Sequence, residues 1–236
     1  MPREKTSVSR EDYLKAIWEM VQERRTPISA RLADELGVTP PAVTAALKRL
    51  TRDGLLRIER GGGIALTPRG RAEAARLALR HQLAEKLLTD VIGLDWTRAH
   101  VEAERLEHGI SPEVERLLAR RLGTSGSCPH GVPMAGGLER LRRSGAMPLG
   151  EIAVPATVEV LSVYEKDAKF LEFLDALHLR PGARIKILRR EYDETMTLEI
   201  AGRRVHLGKP ATSRIWVRTA RARANGGLKP KVETDS

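Results

Sequence analysis

Aromatic side chains are scarce in this sequence: two Phe, three Tyr and three Trp make up 3% of 236 residues. Single-stranded nucleic acid bound by stacking bases on aromatic platforms therefore has little to work with, and neither does an aromatic-lined pocket for a small organic effector. A lone cysteine, Cys128, excludes an internal disulfide framework and fits a reducing compartment, so a cytoplasmic protein is expected. No run approaches the roughly eighteen consecutive apolar residues of a membrane helix. The polar opening MPREKTSVSRED has no apolar signal core, so neither membrane insertion nor export is expected. Positive charge, by contrast, is plentiful: 41 Lys and Arg stand against 31 Asp and Glu, a formal net charge of +10. That balance suits a polyanion, with duplex DNA the best remaining choice, although plain soluble surfaces also carry such charge.

The pattern along the chain divides it into modules. From Ser9, a candidate N-cap, Tyr13, Leu14, Ile17, Trp18, Met20 and Val21 recur at helical spacing. ISARLADELGV forms a second amphipathic helix that Gly37 is placed to end. A third opens at Thr39, with Pro40 and Pro41 in the first turn, where a missing N–H costs nothing. Two short helices joined at Gly37 form a helix-turn-helix. LLRIERGGGIALT then reads as a two-stranded hairpin around Gly61, Gly62 and Gly63, of the size and position of a wing. Residues 1–70 are thus expected to be a winged helix-turn-helix DNA-binding domain. A helical region follows over 71–123, broken near Gly93 and at Ser111-Pro112. Its apolar residues, among them Leu77, Leu83, Val91, Ile92, Val114 and Leu117, exceed what a lone helical pair could bury. A homodimer is the natural outlet, since helix-turn-helix proteins bind paired half-sites as two-fold dimers. Residues 124–150 are rich in Gly, Ser and Pro and read as a linker. Five short strands and one amphipathic helix over 151–218 suggest a small SH3-like β-barrel, and 219–236 read as a disordered tail. The fold class is therefore mainly α with small β parts.

Chemistry concentrates in the middle of the chain. In HVEAERLEH, residues 100–108, helical spacing would set His100, Glu104, Glu107 and His108 on one face. His81 and Glu85 repeat the i, i+4 arrangement upstream. Four of the six histidines fall within 81–130 beside carboxylates, and imidazole with carboxylate is a ligand set for first-row divalent metals. Solvated faces paired with Arg80, Lys86 and Arg105 are the alternative. The stacked Glu104, Glu107 and His108 weigh against it, because they would repel without a cation.

The chain resembles the diphtheria toxin repressor family of metal-dependent regulators over nearly its whole length. The resemblance rests on REDYLKAIWEM, RLADELGVTPPAVTAALKRLTRDGLL, LTPRGRAEAARLALRHQLAEKLLTDVIGL and EAERLEHGISPEVERLL, in the family's order and spacing. It implies a primary metal site at Asp12, His81, Glu104, Glu107 and His108. Iron-responsive members tend to have methionine where this chain has Asp12 and cysteine where it has Glu104; manganese-responsive members have these acids. The manganese pattern is followed here, and oxygen in place of sulfur makes the site harder. Some manganese regulators carry a further acid where this chain has Lys15, so a second ion beside the first is not expected. The resemblance instead implies a second site where linker residues Cys128 and His130 meet Glu85, with Asp167 completing it by position. His100 is an alternative ligand, used in an ancillary site of iron-responsive relatives.

Asp12 is distant in sequence from Glu104–His108, so a cation bound by all of them ties the DNA-reading head to the dimer domain and favours the arrangement it binds tightest. The resemblance implies that the metal-loaded protein represses, often at metal-uptake genes. On the recognition helix Thr39, Pro41, Ala42, Thr44 and Ala45 face base edges, small residues suited to thymine methyls and shape readout. Lys48, Arg49, Arg52 and wing Arg60 are candidate phosphate contacts. Mn(II) is the expected cofactor and Fe(II) the alternative. A metal-dependent hydrolase is the rival of another class, but the chain has no HExxH motif and no evident extra general base.

Overall fold

The computed structural model describes residues 9–219. The expected tail therefore lies outside the described residues, except for its first residue, Thr219. The head opens with α1 (Arg10–Gln22), started by a capping box in which Ser9 Oγ accepts from Asp12 N while Asp12 Oδ2 accepts from Ser9 N. Helices α2 (Ser29–Leu36) and α3 (Pro40–Arg52) form the helix-turn-helix. The turn between them needs Gly37, which sits at φ 62°, a left-handed conformation that a side chain would strain. Strands β1 (Leu56–Ile58) and β2 (Ile64–Leu66) pair antiparallel as the wing. Leu14, Ile17, Leu32, Val43, Leu50, Leu55 and Leu56 fill the head's core.

Helix α4 (Pro68–Lys86) runs from the head into the middle of the molecule and ends in a π turn, Leu87–Val91. Helix α5 (Trp96–Leu106) tightens into a 3-10 turn at Glu107–Gly109, and α6 (Pro112–Leu122) follows. The core here is small, built on Ala84, Ala103 and Ile110, while Val91, Ile92, Val114 and Leu117 are exposed. Apolar surface left open beside a small core fits the sequence expectation of a second copy.

The supposed linker has structure of its own. Ser127 bridges to Pro133, α7 spans Gly137–Arg143, and β3 (Met147–Pro148) pairs with the last strand, so the sheet begins before residue 151. The C-terminal domain continues with β4 (Ala156–Val163), α8 (Ala168–Ala176), β5 (Arg184–Arg190), β6 (Met196–Ile200), β7 (Arg203–Leu207), α9 (Lys209–Thr212) and β8 (Ile215–Thr219). Its six strands form one antiparallel sheet in the order β3-β8-β4-β5-β6-β7. Bulges in β4 and β5 bend the sheet around Leu171, Leu174, Ile185 and Leu198. Trp96 at the start of α5 joins that core and donates to Asp175 Oδ1 at 2.9 Å, docking the domain on the helical middle. No helix among the described residues is long and apolar enough to cross a membrane.

Candidate metal centres and nucleic-acid interface

Asp12 owes its place to the helix cap. With Oδ2 held by Ser9 N at 2.7 Å, Oδ1 faces His108, whose Nε2 is 3.3 Å away. The same Nε2 lies 3.9 Å from Glu107 Oε1, so Asp12, Glu107 and His108 form one group, partly open to solvent. Glu104 is not in it. Helix α5 ends at Leu106, and the tighter turn after it swings Glu107 and His108 away from the face that His100 and Glu104 share. The Glu104 side chain is 54% exposed, with Oε1 3.5 Å from His100 Nε2. The single helical face expected for residues 100–108 is thereby split in two.

Lys15 is the unexpected member. Its buried ammonium lies 3.0 Å from Glu107 Oε1 and 3.0 Å from His81 Nδ1, joining α1 to α4 and to the 3-10 turn. Burial works against the charged lysine, but Glu19 and Glu107 outweigh it and raise its pKa. Burial also pushes Glu107 upward, but His81 and Lys15 lower it below the usual carboxylate range. Lys15 thus places a cation beside the triad, where the sequence showed only the loss of an acid.

His81 belongs mainly to a second, buried group. Its Nδ1 reaches Glu107 Oε2 at 2.6 Å, but its Nε2 lies 3.1 Å from Glu85 Oε1 and 3.0 Å from His100 Nδ1. Glu85 Oε1 is the hub, 3.2 Å from His100 Nδ1 and 3.2 Å from His130 Nδ1. Glu165, which follows β4, completes the set: its Oε2 is 3.5 Å from His130 Nδ1 and 3.7 Å from Cys128 Sγ. The donors form two overlapping clusters, His81-Glu85-His100-Glu165 and Glu85-Cys128-His130-Glu165. His130 Nε2 donates to the Trp96 carbonyl at 2.9 Å, which assigns a proton there and leaves Nδ1 as the atom facing the acids.

The linker reaches this site through a tight turn. Cys128 N donates to Val132 O, and Gly131 lies at φ 86°, where an added Cβ would sit 1.9 Å from Leu161 O. Only glycine lets the turn seat on β4, where Val163 N donates to His130 O at 3.0 Å. Asp167, expected as the fourth ligand, is engaged elsewhere. It caps α8 by accepting from Phe170 N at 3.1 Å and pairs with Arg214 at 3.0 Å. Glu165 was missed because Glu165-Lys166-Asp167 offers three charged residues in a row, and a sequence does not say which side each faces.

The donor chemistry of the buried group fits a divalent cation. Glu85 Oε2 is buried without a hydrogen-bond partner, and the buried His100 Nε2 and His130 Nδ1 face carboxylate oxygens at 3.5 Å and 3.2 Å without a well-aligned hydrogen bond, so donor atoms in this group are left short of partners. Burial raises the Glu85 carboxyl, yet His81, His130 and His100 hold it well below its ordinary value. Burial would lower His100, but Glu104 and Glu85 push it up to about 10. The Cys128 thiol is driven well above its usual pKa by burial, then by Glu85 and Glu165. Protons hold this cluster together, and a metal ion would displace them.

All nine residues expected at the DNA interface are exposed: Thr39, Pro41, Ala42, Thr44, Ala45, Lys48, Arg49 and Arg52 on or beside α3, and Arg60 at the wing tip. Val43, Ala46, Leu47 and Leu50 take the opposite, buried face of α3.

Known proteins match this arrangement throughout. Residues 5–64 match the family described as "Iron dependent repressor, N-terminal DNA binding domain", and residues 67–136 match "Iron dependent repressor, metal binding and dimerisation domain". Residues 147–219 match the FeoA domain. The diphtheria toxin repressor of Corynebacterium diphtheriae is 35% identical over 209 residues, covering 84% of this chain and 91% of the relative. The chain belongs to the diphtheria toxin repressor family. The iron-dependent repressor IdeR of Mycobacterium leprae is 34% identical over 189 residues, 75% of this chain and 82% of its own length. A solved structure described as a manganese-dependent transcriptional repressor in complex with manganese superposes with a TM-score of 0.80 at 29% identity, covering 90% of this chain and all of the other. This family member is accordingly a metal-dependent DNA-binding repressor with a C-terminal FeoA, SH3-like domain. The family is one of transcriptional repressors, which removes the hydrolase alternative.

Proposed function

We propose that this repressor is activated by Mn(II), binds operator DNA as a homodimer in the cytoplasm, and controls genes of metal uptake. The observation carrying the metal assignment is the all-oxygen and imidazole donor set of Asp12, Glu107 and His108, with no sulfur within that group. Hard donors of this kind suit Mn(II) in geometry and polarisability, although intrinsic affinity ranks Mn(II) low among divalent ions. A divalent cation there supplies the positive charge under which two carboxylates and an imidazole can converge. Asp12 belongs to the head and Glu107 and His108 to the middle domain, so their convergence fixes the head's orientation and hence the spacing of two recognition helices. Glu85, Cys128, His130 and Glu165, with His81 and His100 beside them, form the second proposed site, which anchors the linker and C-terminal domain to α4 and α5. Glu104, whose Oε1 lies 3.5 Å from His100 Nε2, is a peripheral ligand of that site. Exposed Val91, Ile92, Val114 and Leu117 are the proposed dimer face.

Fe(II) is the second reading, favoured by the iron-dependent sequence relatives and by the softer thiol of Cys128. DNA affinity measured across matched concentration series of Mn(II) and Fe(II) decides between them. Activation by Mn(II) at lower free concentration supports the manganese reading, and equal or stronger activation by Fe(II) overturns it.

A further inference from the structure

Lys166 is a charge that neither metal group uses. It directly follows Glu165 in the irregular connection between β4 and α8, with a bend at Lys166, and the two side chains go to different places. Glu165 turns into the buried cluster of Glu85, Cys128 and His130. The Lys166 ammonium crosses to the head, 2.8 Å from Glu19 Oε2 on α1 and 2.7 Å from Glu35 Oε1 on α2. All three side chains are about four-fifths buried. Glu35 lies in the last turn of α2, two residues before the Gly37 turn that leads into the recognition helix. Glu19 lies one helical turn after Lys15, which touches Glu107 and His81. A chain of alternating charge thus runs from the buried cluster through Lys166, Glu19 and Lys15 to the α1 triad.

We infer that Glu165 and Lys166 act as a strut, through which filling of the buried site by a divalent cation sets the position of α2 and α3. The inference rests on the metal-dependent reading above and adds the route by which the C-terminal domain takes part. Adjacent residues are about 3.8 Å apart at Cα, so anchoring the Glu165 carboxylate limits where the backbone at Lys166 can lie and hence the range its ammonium can reach. Both partners of that ammonium are head residues. Burial opposes charge on Lys166, but Glu19 and Glu35 overcome it and raise its pKa. Glu19 and Glu35 are in turn lowered by Lys166 against their own burial. Removing one member of such a buried set leaves the others uncompensated. Lys166 is a positioning residue: its ammonium pairs with Glu19 and Glu35, which belong to neither metal group, and it acts through Glu35 on the helix that precedes the reader. By linkage, anything that orders Glu165 then favours one placement of the head.

The test uses the full chain carrying Asp12→Asn, which disables the α1 triad and leaves the buried site, with Mn(II) alone as the probe. Calorimetry counts ions, and hydrogen exchange follows the amides of α2 and α3 with and without metal. The background chain should bind Mn(II) at the buried site and show exchange in α2 slowed by about tenfold, within the usual range of coupling between sites. Adding Lys166→Met should keep the ion count and reduce that slowing to less than about twofold, while Lys166→Arg should retain it. Glu35→Gln, on the head side, should weaken it in the same way and serves if Lys166→Met does not fold. Undiminished slowing in Lys166→Met, or its loss in Lys166→Arg as well, overturns the strut. An ion bound without any slowing in the background chain overturns the strut and leaves the metal sites standing. No ion bound at all overturns the buried-site reading and the strut with it.

Discussion

Single residues decide which donor atoms stand together. Glu107 bonds His81 and Lys15 while standing in the triad with Asp12 and His108, so it serves both groups. Glu107→Ala and His108→Ala are each expected to abolish metal-stimulated DNA binding while leaving the helical circular dichroism signal intact. Stimulation retained in either variant would count against the triad. Cys128 faces Glu165 and sits in a cluster the triad does not share, so Cys128→Ser should lower the affinity of one class of Mn(II) sites in calorimetry and spare the other. Unchanged isotherms would return Cys128 to a purely structural place in the linker. Lys15 on α1 changes the surroundings of the triad through its position as well as its charge. Where a further acid would have invited a second ion, the lysine brings its own cation to Glu107 and His81.

At the scale of elements, local signals and structure agree closely. Caps, prolines and glycines act within a few residues, so Ser9, Thr39, Gly37, Gly93 and Ser111-Pro112 mark helix starts and breaks whatever the rest of the chain does. The turn carrying Cys128 and His130 depends on one such residue. Gly131→Ala meets both a positive φ and the Leu161 carbonyl, and is expected to cost about 1–3 kcal/mol in chemical denaturation, with weaker metal binding at the buried site. The wing offers a contrasting case. Arg60 stands exposed at its tip, so Arg60→Ala should leave stability unchanged, weaken DNA binding similarly across sequences, and reduce the salt slope of log affinity by about one. A sequence-selective loss would instead mean that Arg60 reads bases.

For the whole molecule, the small middle core leaves Ile92 63% and Val91 61% exposed. Ile92→Asp is expected to shift the protein to monomer in sedimentation velocity at micromolar concentration and to weaken operator binding with it, while a persistent dimer would move the interface elsewhere. The sequence by itself determined the order of the elements in the head, the helix starts and breaks marked by caps, prolines and glycines, the exposed face of α3 and the residue types of the metal chemistry, because all of these follow from periodicity, capping and motif spacing within short stretches; it did not show α7 and β3 inside the expected linker. Tertiary structure alone decided the grouping of ligands. It split residues 100–108 between two donor groups at the end of α5, moved His81 from the expected primary group into the buried cluster beside His100, placed Glu165 there in preference to Asp167, and brought Lys15 and Lys166 between the head and the rest. The physical reason is directional. In the irregular connection between β4 and α8 the backbone bend at Lys166 decides which way each charged side chain goes, and at a helix end a small change in turn geometry rotates every side chain beyond it. Which acid meets which imidazole therefore depends on how four separate segments pack, and spacing along the chain does not contain that information.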